Sequence, residues 1–79
     1  MATIKIKKCT CKLHLIAAIK AETGKSLLEC KNIVDTLIDQ HGRTAGTLQL
    51  NRSSISQEQW ERIVNSKFLK GITLEWEYV

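Results

Sequence analysis

From Thr3 to Lys8 the chain alternates, with Ile4 and Ile6 on one side and Thr3, Lys5 and Lys7 on the other, the period of a half-buried strand. The period then lengthens. Leu13, Leu15, Ile16 and Ile19 supply apolar surface to a helix predicted from about Cys11 to Ala21, with Thr10 as its capping hydroxyl. These positions cover more than one stripe, so part of this helix is expected to turn apolar groups outward. Gly24 breaks it, because glycine adopts the left-handed backbone that closes a helix.

Ser26 and Glu29 have capping-box spacing and open a second helix, in which Leu27, Cys30, Val34, Leu37 and Ile38 recur at helical intervals and Ile33 widens the buried face. His41-Gly42 is read as its end, with His41 beside the last carbonyls. Thr47 to Asn51 is a short strand carrying Leu48 and Leu50. Ser56 and Gln59 form a second capping box, and Ile55 and Trp60 have the spacing of a hydrophobic staple. Trp60, Ile63, Val64 and Phe68 are the expected inward stripe of this third helix, with Lys67 and Lys70 in its last turn and Gly71 beyond it. From Ile72 to Val79 the chain alternates again, with Ile72, Leu74, Trp76 and Tyr78 toward the core. Lys5 and Lys7 then face Glu75 and Glu77 if the first and last strands are neighbours.

The resulting fold is α+β: a small three-stranded sheet with three helices on one face, in the order β-α-α-β-α-β, as a single module over residues 1–79. A chain of 79 residues leaves room for one domain, and 43% hydrophobic with 25% charged residues is ordinary for a folded one. No apolar run approaches the roughly 20 residues that span a bilayer. Lysines interrupt the apolar residues at the start, where a signal peptide would need an unbroken core, so the expected location is the cytoplasm and no membrane partner is expected.

The net charge of +4 is unevenly placed: residues 1–31 hold seven Lys and two Glu, and residues 32–79 hold five basic and six acidic side chains. A basic front half suits an acidic protein surface or a phosphate backbone, and equally a solvated edge. Cys9, Cys11 and His14, with Cys30 further on, have some of the residues of a zinc site but lack a second ligand pair, so small buried or edge thiols are preferred and no metal or cofactor is expected. Thr23-Gly24-Lys25-Ser26 has the ending of a phosphate-binding loop, but the leading glycine is missing and the segment follows a helix. No nucleophile elbow or metal-binding helix pattern occurs, and the chain is read as a non-enzyme.

Residues 12–35 resemble the C-terminal domain of the bacterial ribosomal stalk protein, whose fold is similar to that of the ClpS protease adaptor. The positions that carry the resemblance are Lys12, Ile16, Ile19, Lys20, Thr23, Gly24, Ser26, Leu27, Glu29, Lys31, Ile33, Val34 and Asp35. In that family the first two helices dock translational GTPases through a basic and apolar surface. The resemblance therefore implies a docking face made of Lys12, Lys20 and Lys31 with Leu13, Ile16 and Leu28 as apolar contacts. Ala17 and Leu28 replace two lysines frequent in the family, and Cys30 replaces an alanine. The family's dimerisation segment and hinge have no counterpart here, so the expectation is a stand-alone docking domain, monomeric or weakly dimeric.

Two functions from different classes follow. One is a protein-binding module that docks on a larger partner with an acidic surface, as a regulator or inhibitor. Phage-encoded proteins that occupy a host nucleic-acid machine, such as a CRISPR complex or a polymerase, are of this kind, and a ribosome- or translation-factor-associated protein is a variant of it. The other is a nucleic-acid-binding accessory protein that uses the Lys-rich front half on phosphates. Stacking aromatics are absent from residues 1–31, which weighs against single-strand binding.

Overall fold

A computed structural model describes residues 2–39, 41–44 and 46–79. The chain runs β1 (Thr3–Cys9), α1 (Lys12–Thr23), α2 (Leu27–Leu37), β2 (Thr47–Gln49), α3 (Gln57–Val64) and β3 (Leu74–Tyr78), with short 3-10 turns at Asn51–Ser53 and Lys67–Leu69. This is the expected α+β order. The sheet is antiparallel throughout, in the order β2-β1-β3, so the first strand is central and the other two form its edges.

Ile4 and Ile6 are fully buried beneath the helices, while Lys5, Lys7 and Lys8 are exposed on the wet face. Strict alternation fails after Ile6. Ile6 lies opposite Trp76 and Lys8 opposite Glu75, so Lys7 is the extra residue of a bulge. The bulge turns two successive lysines outward and returns Cys9 to the core side opposite Leu74. The expected charge pairing is present in this shifted form: Lys5 is opposite Glu77, and Lys7 Nζ lies 3.4 Å from Glu77 Oε2. Thr10, expected to cap the first helix, instead closes the ladder. Its N–H donates to Thr73 O at 3.1 Å, and its Oγ1 accepts from Thr73 N–H at 2.9 Å. Cys11 takes the cap position without a side-chain bond, and α1 continues two residues past the predicted end.

Gly24 is left-handed at φ 70°, and its N–H donates to Lys20 O at 2.9 Å. Ser26 Oγ accepts from Glu29 N–H at 3.2 Å, and α2 begins there as expected. It ends earlier than the sequence suggested. Ile38 is extended, and Asp39 organises the turn that follows by accepting from His41 N–H and Arg43 N–H at 2.9 Å each and from Arg43 Nε at 3.1 Å. His41 is thus part of an Asp39-centred turn and caps no helix; Gln40 beside it lies outside the described residues. The second strand also stops short, because Leu50 turns down into the core and starts the 3-10 turn.

At α3 the capping box is complete, with Gln59 N–H donating to Ser56 Oγ at 3.1 Å and Ser56 N–H donating to Gln59 Oε1 at 2.9 Å. This helix ends at Val64, so Lys67, Lys70 and Gly71 fall outside it, and buried Leu69 fills the place expected for Phe68, which is 40% exposed. Trp60 is the largest fully buried side chain. It meets Trp76 edge-on with ring centroids 5.6 Å apart, and Trp76 meets Tyr78 the same way at 4.9 Å. Tyr78, read as core, is the exposed end of this aromatic series at the sheet edge. Arg62 ties the helix layer together by pairing with Glu22 of α1 at 3.1 Å and Glu58 at 3.7 Å. No helix among the described residues is long and apolar enough to cross a membrane.

Candidate functional site

The sheet buries only one side of the helical hairpin α1–α2. Lys12 of α1 forms an ion pair with Asp35 near the far end of α2 and donates to Asp39 O at 3.4 Å, so the two helices are antiparallel with Lys12 level with Asp35. At 1.5 Å and 100° per residue, Lys20 is then level with Leu27 and Leu28. Leu13, Ala17 and Lys20 share the outward side of α1, and Leu28, Lys31 and Asp35 share the outward side of α2. The hairpin therefore presents one continuous face, with Leu13 near one end and Leu28 roughly 10 Å further along the helix axes at the other.

The predicted contact residues divide into three groups on this framework. Leu13 is 73% and Leu28 67% exposed, and Lys20 and Lys31 are exposed with no ion pair among the described residues. Lys12 serves the scaffold: its ammonium is held between Asp35 and the Asp39 carbonyl and locks the hairpin ends together. Ile16 is 5% exposed and belongs to the core, because at helical spacing it shares the buried side of α1 with Leu15 and Ile19, at the margin of that stripe. It offers a partner little surface. Leu27, read as core, is 61% exposed: it is the first residue of α2, where the helix projects beyond the packed layer. The adjacent Leu27-Leu28 pair was the available signal, since two neighbours 100° apart cannot both occupy one narrow buried stripe. Lys25, in the turn between the helices, adds a half-buried cation beside this end.

Two of the three thiols are shielded by their position. Cys30 is fully buried at the hairpin, and burial pushes its thiol up in pKa despite nearby Lys25. Cys9 is half-buried and raised in the same way, its Sγ 3.5 Å from Cys11 O. All three cysteines are free, and no cluster of three or more metal-ligating side chains is found among the described residues. His14 uses Nδ1–H to donate to Phe68 O at 3.1 Å, fastening α1 to the segment after α3.

Two surface hollows lie away from the hairpin face. One, of about 330 Å³, is lined by Glu58, Glu61 and Arg62 of α3 and by Asn65 just beyond it; the other, of about 470 Å³, lies where Ala2, Gln57 and Val79 meet. Neither places a nucleophile beside a base among the described residues. Comparisons with known protein families, with curated proteins and with solved structures found no match for this chain.

Proposed function

We propose that the protein is a non-enzymatic docking module that binds a larger protein through the outward face of α1 and α2. The observation that carries this reading is the exposure of Leu13, Leu27 and Leu28, 61–73% each, on the same hairpin as Lys20 and Lys31, cations without an ion pair among the described residues. Scattered surface leucines need no explanation, but three on two adjacent helices rimmed by cations have the make-up of a small interface centre with a polar rim. The partner's matching surface is apolar at its centre and acidic around it. The resemblance of residues 12–35 to the ribosomal stalk domain supports the same face, with Leu27 added and with Lys12 and Ile16 moved from contact to scaffold. A regulator or inhibitor of a larger assembly is the role that fits a small module with one such face.

The test is capture from an extract of the source organism with nuclease present at moderate salt, using the wild-type chain beside a Leu13→Asp/Leu28→Asp variant and a Lys20→Glu/Lys31→Glu variant. A stoichiometric protein that stays with the wild type and is lost from both variants supports the docking face. Retention by both variants sinks it. Loss of all bound material on nuclease treatment, or a steep fall in binding with salt, points instead to phosphate contact by the Lys-rich front half.

A further inference from the structure

The outer side of β3 has no strand beside it among the described residues, because β3 pairs only with β1. Two hydrogen bonds fix where its backbone groups point. Val79 N–H donates to Thr3 O at 2.8 Å, and Thr10 N–H donates to Thr73 O at 3.1 Å. Backbone direction alternates along an antiparallel pair, so Glu75 and Glu77 turn theirs toward β1 while Leu74, Trp76 and Tyr78 turn theirs to the open edge. No other backbone or side chain among the described residues takes up these edge groups. The edge is five residues long, free of proline and without a bulge on its own strand, which leaves it competent to receive another strand.

Side chains decide which strand fits. Glu75 and Glu77 stand on the wet face, and Leu74, Trp76 and Tyr78 on the helix-covered face. A second copy is a poor match. A symmetric antiparallel pairing that overlaps three or more residues of β3 must centre on Glu75, Trp76 or Glu77, and each of these sets glutamate opposite glutamate. The matching pattern is already visible on the other side of the strand, where β1 places Lys5 opposite Glu77, Lys8 opposite Glu75, Ile6 opposite Trp76 and Ile4 opposite Tyr78. We infer that the open edge of β3 is a strand-addition site for an extended basic segment of a partner protein. Lysine or arginine at alternate positions lies over Glu75 and Glu77, and apolar residues between them extend the surface of Trp76 and Tyr78. This surface is separate from the hairpin face and does not depend on it.

The experiment is an NMR titration of the isotope-labelled full chain with a capped peptide of alternating isoleucine and lysine, beside a control with glutamate for lysine. The expected result is shift changes centred on residues 73–79 and exchange of the Leu74, Trp76 and Tyr78 amides slowed by about tenfold or more. The glutamate peptide does neither. Glu75→Lys is expected to weaken binding about three- to tenfold, by turning one cross-strand attraction into repulsion. Tyr78→Pro removes a donor that faces away from β1 and is expected to abolish binding with the β1 ladder signals unchanged; if that variant does not fold, Glu75→Lys decides. Equal binding of both peptides, shift changes confined to α1 and α2, or protection of these amides by dimerisation of the chain alone would overturn the inference.

Discussion

Replacing Leu28 and Ile16 by alanine, one at a time, separates surface from scaffold within the hairpin. Leu28 is 67% exposed, so about one third of its side chain is already out of water. Full burial of a leucine is worth about 1.5–3 kcal/mol, so Leu28→Ala can remove only about 0.5–1 kcal/mol. Ile16 is 5% exposed, and its truncation leaves a cavity in a packed core, at a cost of about 2–5 kcal/mol. A domain of this size has about 4–12 kcal/mol in total, and each kcal/mol moves its melting temperature by about 4–8 °C. Thermal melts followed by circular dichroism should therefore show Ile16→Ala falling by about 10 °C or more and Leu28→Ala by only a few degrees. The same arithmetic bounds the interface: covering Leu13, Leu27 and Leu28 recovers about two thirds of each transfer term, about 3–6 kcal/mol together. Leu13→Asp/Leu28→Asp should then weaken partner binding by about thirtyfold or more. If Leu28→Ala lowers the melting temperature as far as Ile16→Ala, Leu28 is packed in solution and the face is not free.

Lys12→Met keeps the aliphatic stem but removes the clamp on Asp35 and Asp39, and should cost about 0.5–1 kcal/mol in a denaturant melt, whereas Lys20→Met and Lys31→Met should cost less than about 0.5 kcal/mol. Ser54 holds a left-handed backbone at φ 59°, so Ser54→Gly relieves strain that outweighs the entropy of glycine and should raise the melting temperature by a few degrees. The Arg43 backbone N–H, with that of His41 and the Arg43 guanidinium, holds the Asp39 carboxyl below its ordinary range. A depressed carboxyl stabilises the fold fully above its unfolded value of about 4 and loses that contribution as pH falls through the lower folded value. The amide signal of Arg43 should thus respond to acid at a lower pH than that of a free aspartate, and Asp39→Asn should shift it at neutral pH.

The fold was legible wherever local chemistry and pattern agreed. Ser56 with Gln59, Ser26 with Glu29, Gly24 and the alternation of Ile4 and Ile6 each name an element boundary or face on their own. What was illegible was set by tertiary contacts. The bulge at Lys7 depends on register against β3, and it is the reason Thr10 serves the ladder rather than a helix. Leu50 and Leu69 leave strand and helix early because the core needs them, which shortens β2 and α3 relative to their patterns. At the candidate site, Leu13, Leu28, Lys20 and Lys31 are exposed, as a contact surface requires. The scaffold roles of Lys12 and Ile16 were not legible, because an ion pair across 23 residues of sequence and the orientation of α1 over the sheet are not encoded locally.

A photo-crosslinking residue placed at position 28 and, separately, at position 47 on the wet face of the sheet tests the docking face most directly. In nuclease-treated extract of the source organism, position 28 should yield a discrete protein adduct, competed away by unlabelled wild-type chain but not by Leu13→Asp/Leu28→Asp, while position 47 yields none. Equal adducts from both positions, or an adduct from position 47 alone, would contradict the assignment of α1 and α2 as the binding face.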